Sequence, residues 1–489
     1  MASSKSYKDF IMEQLSNLNP TCKSMMGEFL IYVDGVYFGG VFDDRFLVKI
    51  TDTNSVYDLS KELPYENAKP MYVVQNVDDK EYLETLVLDT IKGLKKIMWE
   101  IERLTSIKKL VAFCGSILVK QNWTWYINYM KNSELLSKII DTLEKEHINL
   151  YHDVSKEEIQ AYISNFSDID QWDNITFDRE MLKLFAKFKD AHTNYYVQSG
   201  CLDKKIIFVQ NNIYLKDNED FKEVEFVDKL TANEFIEQIS SMICYETKEY
   251  LTHRIRNVIN NQYYYQMIGL CQNDGSINFV VKNNRKLETI NVKKIPGEEY
   301  RKLMHSKSEK NYSFEIINDN VVLIRYKRCW EDKDYPFAEF VEDIEEKILE
   351  KHITQYVLDL RNNGGGNSSV IKPLAELVER MNLKGVVLIN NGVFSSGRWA
   401  VADFKSKFNA PLIGEPTGGA AASYGLNENL QIEDKYFCVA KRYWDFESVF
   451  GYKGSIQPDI YVPTTLDDIK NKKDSQLLTA LSYLSNQKE

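Results

Sequence analysis

Two short stretches of the chain carry residue types that could perform acyl transfer. In "GVFSSGRW", Ser395 and Ser396 follow the apolar run "GVVLI" and precede an amphipathic segment. A serine at such a junction lies at the positive end of a helix, and the N–H of the next residue can stabilise an oxyanion. Serine is also a preferred helix N-cap, and the local sequence alone favours this simpler role.

The second stretch is the glycine run in "DLRNNGGGNSS". Gly364, Gly365 and Gly366 follow the apolar segment "QYVLDL". Consecutive glycines let the backbone approach a ligand closely and turn N–H groups toward a negative charge. A phosphate loop fits poorly because no Gly-Lys-Ser/Thr follows, whereas an oxyanion hole fits better. A flexible surface turn is the plain alternative.

The elements that must position these stretches follow the pattern of an α/β layer. Across residues 321–489, short apolar strands alternate with amphipathic helices, and polar loops follow the strands. Loops at the strand ends of such a layer usually form its active site. The sequence therefore predicts an α/β catalytic core in this region of a multidomain α+β chain.

Three regions precede this core. Residues 1–100 read as a small α/β domain with a hairpin turn at Asp34-Gly35. Residues 101–199 are predicted to be mainly helical, and one of their helices is "LTSIKKLVAFCGSILVK". Residues 200–320 are predicted to be rich in strands, with one helical interruption, "ANEFIEQISSMICYETKEYLTHRI".

The composition argues against several classes of protein. A chain of 489 residues with 44% hydrophobic and 12% aromatic content indicates a folded protein of several domains. A net charge of -11 argues against binding to nucleic acid. The cysteines and histidines form neither CxxC nor HExxH, so we expect reduced thiols, no metal and no other cofactor. No signal peptide or membrane-length apolar run is visible, which predicts a cytoplasmic protein without a membrane partner.

Four motifs of the core resemble those of the tail-specific, or C-terminal processing, serine peptidases and their tricorn-core and retinoid-binding-protein relatives. The motifs are "DLRNNGGG", "VFSSGRW", "GEPTGG" and "SIQPDIYV", in the order found in that family. The resemblance implies a crotonase-like, ClpP-like ββα core, preceded by a strand-rich region that corresponds to a degenerate PDZ module. It also implies that Ser395 is the nucleophile and that N–H groups of Gly364, Gly365 and Ser396 form the oxyanion hole.

The family that this chain resembles activates its nucleophilic serine in two ways. The bacterial tail-specific branch has a lysine just after "GEPT", where this chain has Ala420. The tricorn-core branch uses a histidine in a "D-x-HT" motif, which "FAKFKDAHTNYY" matches with Asp190, His192 and Thr193. Because a serine without a lysine needs another base, His192 is the predicted general base.

The third member of the site would be a carboxylate that orients the histidine. The glutamate of the family shortly precedes the "PDI" motif, and Glu447 is therefore the predicted residue. Asp445, Glu433 and Asp434 are the other acids of this segment. Arg398 stands where many relatives have a glutamate, and it could either neutralise a substrate carboxylate or pair with a surface acid.

These features together predict a serine endopeptidase that cleaves proteins or peptides through an acyl-enzyme. The main alternative is a catalytically inactive homologue that binds a peptide or another ligand. The runs "SMMGEFLIYVDGVYFGGVFDDRFLVKI" and "PYENAKPMYVV" resemble the TfoX/Sxy N-terminal domain, which contributes no catalytic motif. Residues 1–100 are therefore expected to bind a protein partner, and a further alternative makes this domain the functional part of a regulatory scaffold.

Overall fold

The computed structural model describes residues 3–94, 130–295 and 310–487, apart from residues 26, 34, 52, 58, 66, 67, 69, 219, 284, 285 and 319. The helix predicted from "LTSIKKLVAFCGSILVK" lies outside the described residues. The chain divides into two compact units, Met1–Trp125 and Tyr126–Glu489. No described helix is both long enough and apolar enough to span a membrane.

The first unit is an antiparallel sheet packed with helices around its own core. Its helices are α1 (Lys5–Gln14) and α2 (residues 80–94). Its strands are β1 (Thr21–Met25), β2 (Glu28–Val33), β3 (Val36–Phe42), β4 (Arg45–Val48), β5 (Lys61–Glu62) and β6 (Met71–Val73), in the order β1-β2-β3-β4-β6-β5. Val33 pairs with Val36 around Gly35 at φ 75°, which confirms the predicted hairpin.

The described part of the second unit begins with the helices α3 (Asn132–Glu146), α4 (Lys156–Ser164) and α5 (Asn174–Lys187). Phe177, Met181 and Phe185 of α5 are buried at helical spacing and belong to one large core cluster. Lys189, at φ 51°, then turns the chain out of the helical path. The segment that contains the predicted histidine therefore follows directly from a well-packed helix.

The next region forms a second sheet with helices inserted in it. Its strands are β8 (Lys205–Val209), β9 (Asn212–Asp217), β10 (Asp220–Val227), β11 (Leu230–Thr231), β12 (Ile277–Asn283) and β13 (Lys286–Val292), in the order β13-β12-β10-β9-β8 with β11 paired to β10. The predicted single helical interruption is two helices, α6 (Ala232–Ser240) and α7 (Lys248–Val258), which α8 (Gln262–Met267) follows. Thr247 starts α7 by accepting a hydrogen bond from the Tyr250 N–H, so residues 241–247 form a bend between the helices.

The third sheet is the mainly parallel layer predicted for the core. Its strands are β14 (Tyr312–Ile317), β15 (Val321–Tyr326), β16 (Gln355–Asp359), β17 (Lys384–Ile389), β18 (Leu412–Gly414) and β21 (Ile460–Tyr461), in the order β14-β15-β16-β17-β18-β21. All pairs from β15 to β21 are parallel, and β14 is antiparallel at one edge. The carboxyl ends of neighbouring strands therefore meet at one edge, which is where such sheets bind ligands.

Helices cover both faces of this parallel sheet. They are α9 (Phe337–Lys351), α10 (Lys372–Arg380), α11 (Ser396–Phe408), α12 (Glu447–Phe450), α13 (Leu466–Asn471) and α14 (Ser475–Ser485). Leu358 of β16 packs in the cluster that includes residues of α9, α10 and α11, whereas its neighbour Val357 packs in the cluster that includes Ala480 of α14. This alternation buries the strands on both sides, as is typical of a parallel sheet, and confirms the predicted α/β class.

A long hairpin connects the core to the histidine segment. Its strands β19 (Ala422–Ile432) and β20 (Lys435–Asp445) pair with each other, and β20 also pairs with β7 (Asn194–Tyr196). Cys438 lies opposite Asn194 in this pairing. The strand that follows the predicted histidine is thus a neighbour of a strand from the carboxyl-terminal part of the chain.

Candidate active site

Ser395 occupies a strained position at the start of α11. Its backbone has φ 49° and ψ -125°, and its side chain makes no capping hydrogen bond. A residue other than glycine adopts such a conformation only when its surroundings enforce it, and nucleophilic serines commonly sit on such strained turns. The simpler N-cap role is therefore not the one that the Ser395 hydroxyl performs.

Ser396 differs from its neighbour in how its side chain is used. The Ser396 hydroxyl donates a hydrogen bond of 2.7 Å to the Gly366 carbonyl. The main-chain N–H of Ser396 has no acceptor among the described residues. Ser396 thus links α11 to the glycine turn with its side chain and leaves an N–H at the first turn of a helix.

The glycine turn lies directly beside Ser395. Gly365 has φ 102°, and a Cβ there would lie 2.7 Å from the Cβ of Ser395, so only glycine fits. The Gly365 N–H already donates a hydrogen bond of 2.9 Å to Asn363 Oδ1, whereas the Gly364 N–H has no acceptor among the described residues. Of the oxyanion donors predicted from sequence, Gly364 and Ser396 are therefore the ones with free N–H groups.

His192 is buried close to Ser395, with 5% of its surface exposed. Its ring stacks on Phe394, the residue before the serine, with ring centroids 4.4 Å apart. Neither ring nitrogen has a hydrogen-bond partner among the described residues, and so no such bond joins His192 to the Ser395 hydroxyl. Catalytic hydrogen bonds are often loose in structures without substrate, and the stacking leaves the ring beside the cavity.

Hydrogen bonds fix the backbone of the histidine segment. The Asp190 carboxylate accepts bonds from the His192 N–H at 2.9 Å, the Thr193 hydroxyl at 2.6 Å and the His147 ring at 2.8 Å. The Cys438 thiol of β20 donates to the His192 carbonyl at 3.1 Å. Asp190 thus organises the main chain of this segment.

Burial determines the charge of His192. Removal from water lowers the His192 pKa to about 4, the charge of Asp190 opposes this shift, and the charge of Arg398 adds to it. The imidazole is therefore neutral at pH 7, which is the state that can accept a proton from a serine.

Glu246 is a second acid, besides Asp190, that the structure brings to the histidine. It lies in the bend between α6 and α7, and the ligand atoms of Glu246, Asp190 and His192 are all within 4.8 Å of one another. Its carboxylate accepts a hydrogen bond of 3.1 Å from the N–H of Ala420. Burial raises the Glu246 pKa to about 7, although the charge of Arg398 lowers it. No motif pointed to Glu246, because it lies in a segment that reads as one helix.

The acids predicted from the sequence do not lie beside His192. Glu447 begins the short helix α12, is 51% exposed in its side chain and forms an ion pair of 3.4 Å with Lys453. The carboxylate of Asp445 accepts the Glu447 N–H, and Asp434 pairs with Lys435 at the β19–β20 turn. None of these acids, nor Glu433, contacts His192 or lines the cavity beside it. The structure thus does not bring Glu447 to the histidine, because its segment turns toward solvent after β20.

Arg398 is buried inside the site. It is 1% exposed, and its guanidinium donates hydrogen bonds to the carbonyls of Ala420 and Ser395. Its charge also acts on Glu246. Of the two roles left open for Arg398, pairing with a surface acid does not fit this burial. The same cation disfavours a metal ion in the cluster of Asp190, His192 and Glu246, where Asp190 already accepts three hydrogen bonds.

A cavity of about 930 Å³ joins these groups at the carboxyl edge of the parallel sheet. Ser395, His192 and Gly364 all line it. The rings of Trp330, Trp399 and Trp444 form part of its wall. Its volume suits a segment of extended peptide or a small organic ligand.

Several solved structures have a mixed α/β fold similar to that of this chain. Mature CPAF complexed with lactacystin is similar to this chain at a TM-score of 0.53 and 13% identity, over 73% of this chain and 98% of that one. A CPAF mutant matches at a TM-score of 0.54 and 12% identity, over 73% and 97% of the two chains. The photosystem II D1 C-terminal processing protease matches at a TM-score of 0.39 and 12% identity, over 71% and 98%.

The CPAF structures show the fold of the 73% of the chain that they match. No protein-family model matches the sequence, and no curated protein sequence matches it either. The resemblance of residues 1–100 to the TfoX/Sxy N-terminal domain stays a prediction.

Proposed function

We propose that this chain is a serine peptidase in which Ser395 attacks the carbonyl carbon of a peptide bond. The observation that carries this proposal is the strained, uncapped Ser395 beside a buried, neutral imidazole and the free N–H groups of Gly364 and Ser396. The fold shared with CPAF supports the same class of enzyme. A cytoplasmic location and a protein partner for residues 1–100 stay predictions.

The proposed reaction is acyl transfer. His192 accepts the proton of Ser395 as the hydroxyl oxygen bonds to the carbonyl carbon, and the N–H groups of Gly364 and Ser396 stabilise the resulting oxyanion. The imidazolium then protonates the departing amine, which leaves an acyl-enzyme. Water repeats the cycle, with His192 again as base, and releases the acid product.

Glu246 rather than Glu447 is proposed as the carboxylate that stabilises the imidazolium. A charge within 4.8 Å of the ring contributes about 3 kcal/mol at an effective dielectric constant of about 20. This carboxylate is held by the Ala420 N–H on one side and by the charge of Arg398 on the other. In the bacterial tail-specific peptidases, which this chain resembles, the activating lysine stands at the position of Ala420. Glu246 would thus act from the same part of the site as that lysine.

A fluorophosphonate probe tests the proposed function directly. Because only an activated serine reacts, we expect stoichiometric labelling of the wild-type protein and cleavage of a mixture of unstructured peptides. The alternative, an inactive ligand-binding homologue, is favoured by the absence of a hydrogen bond between Ser395 and His192 among the described residues. Such a protein would bind peptides but would neither react with the probe nor release fragments.

The Glu246→Gln variant should lose activity in a pH-dependent way. The Glu246 pKa of about 7 means that its charge is present above pH 7 and is lost as the pH falls through 7. We expect kcat/KM to fall by about 100-fold at pH 8.5, as about 3 kcal/mol predicts. At pH 5.5 the wild-type carboxyl is mostly neutral, so the two proteins should differ by only a few-fold. The measurement is the pH profile of peptide cleavage.

Glu447→Gln is the matched comparison for this prediction. Glu447 is exposed and pairs with Lys453. Its replacement should therefore preserve the decline in kcat/KM that the wild type shows as the pH falls through 7. If Glu447→Gln removed this decline in kcat/KM and Glu246→Gln did not, Glu447, the acid predicted from the sequence, would be the residue that acts on the histidine.

A further inference from the structure

The charges that line the cavity indicate the chemistry of its ligand. The lining residues include Arg254, Arg328 and Arg398, and they include no aspartate or glutamate in the described part of the chain. The chain as a whole carries a net charge of -11, so this excess of arginine is local to the cavity. A cavity lined by charges of one sign attracts ligands of the opposite sign.

Arg398 is not available to such a ligand. Its buried guanidinium already donates to two main-chain carbonyls and interacts with the charge of Glu246. The positive charge that remains on the wall is that of Arg254 and Arg328. Neither forms an ion pair with any carboxylate of the described residues.

Arg254 lies on the wall formed by α7. Its guanidinium carbon is 6.0 Å from the ring centre of Tyr250, which stacks on Phe394 with centroids 4.3 Å apart. The Arg254 Nε is buried and has no hydrogen-bond partner among the described residues. A buried donor without an acceptor is costly, and a ligand that supplies the acceptor explains it. Arg254 and Ser395 line the same cavity.

Arg328 lies on the wall formed by the glycine turn. It follows β15, is exposed, and is held next to that turn by its neighbour Cys329. The Cys329 N–H donates to the Gly365 carbonyl at 3.0 Å, and the Asn367 N–H donates to the Cys329 carbonyl at 2.8 Å. The backbone next to Arg328 is therefore held by the same turn that abuts the serine, and the Arg328 side chain lines the cavity there.

Resting on the proposed peptidase function, we infer that the cavity recognises a carboxylate of the peptide substrate close to the bond that is cleaved, through Arg254 and Arg328. Guanidinium groups bind carboxylates through paired, charge-assisted hydrogen bonds. A peptide offers this group in two ways, as an aspartate or glutamate side chain or as its free C-terminus. The tryptophans of the wall would contact the apolar parts of the same segment.

Four matched peptides separate the two sources of the carboxylate. They share one sequence with either Glu or Gln adjacent to the cleaved bond, and each has a free-acid or an amidated C-terminus. Wild-type kcat/KM should be about 10- to 100-fold higher for the peptides that carry the recognised carboxylate. A preference for Glu identifies the side chain as the source, and a preference for the free acid identifies the chain end.

Variants of the two arginines test which residues cause the preference. Arg328→Gln and Arg254→Gln should each reduce the ratio between acidic and amide peptides toward one. Arg328 is exposed, so its variant tests the inference even if the partly buried Arg254 variant fails to fold. The matched control is Arg380→Gln, which removes an exposed arginine paired with Glu345 on α10 and should keep the wild-type ratio.

Binding to Ser395→Ala distinguishes this inference from the proposed function. Fluorescence anisotropy should show the same preference for the carboxylate without turnover. Acid-selective binding combined with absent labelling of the wild type would overturn the peptidase and support the inference. Cleavage of all four peptides at equal rates, or an unchanged ratio in both arginine variants, would overturn the inference and leave the peptidase intact.

Discussion

Replacing Ser395 with alanine should abolish peptide cleavage and labelling by a fluorophosphonate. Loss of the nucleophile in a serine peptidase lowers kcat on the order of 10⁶-fold, which leaves only background hydrolysis. The Ser395 hydroxyl does not cap α11, so its removal should change the free energy of unfolding by less than about 1 kcal/mol. Steady-state cleavage of a quenched fluorescent peptide and thermal unfolding measure the two effects.

The neighbouring serine provides the control. Ser396→Ala removes the hydroxyl bond of 2.7 Å to Gly366 but keeps the N–H that is proposed to stabilise the oxyanion. We expect a loss of at most about tenfold in kcat, which corresponds to one neutral hydrogen bond. Complete loss of labelling in Ser396→Ala, with Ser395→Ala still labelled, would mean that the nucleophile had been assigned to the wrong serine.

Replacing His192 with alanine should reduce peptide cleavage almost as much as Ser395→Ala does. Without the imidazole, Ser395 loses its proposed base, and kcat should fall on the order of 10⁴- to 10⁶-fold. The pH profile of kcat/KM for the wild-type protein should also show the titration of this base at low pH. Because the His192 pKa is lowered to about 4, the base is neutral above this value and kcat/KM should decline as the pH falls through it.

His352→Asn is a suitable control for the histidine variant. His352 is exposed at the carboxyl end of α9 with φ 54°, a conformation that asparagine adopts readily. Its replacement should leave kcat unchanged. Normal turnover in His192→Ala would show that another group activates Ser395.

Local motifs predicted the part of the site that lies in short, continuous segments. The strand, glycine turn and serine segments follow one another along β16, β17 and α11, so their meeting at one sheet edge follows from the α/β pattern. His192 required the family resemblance, because its position depends on the pairing of β7 with β20. The N–H of Gly365 was expected to face the oxyanion, but the side chain of Asn363 accepts its hydrogen bond.

The carboxylate could not be predicted, because its environment is made by distant parts of the chain. Residues 241–247 read as a continuation of a helix, and only the cap at Thr247 breaks the segment into α6 and α7. The acceptor role of Glu246 depends on Ala420 and Arg398, which come from other elements. Glu447 has the expected order along the sequence, but a short helix turns it to solvent.

The hydrogen bonds between β20 and the histidine segment determine when this site can exist. The Cys438 thiol and the Ala440 N–H bind the His192 carbonyl and the Thr193 hydroxyl, each at 3.1 Å. These partners are synthesised long after the histidine and also after the serine. A nascent chain that ends before β20 therefore has its proposed nucleophile and base but lacks the two hydrogen bonds by which β20 holds the histidine segment, and we expect it to be inactive until β20 is made.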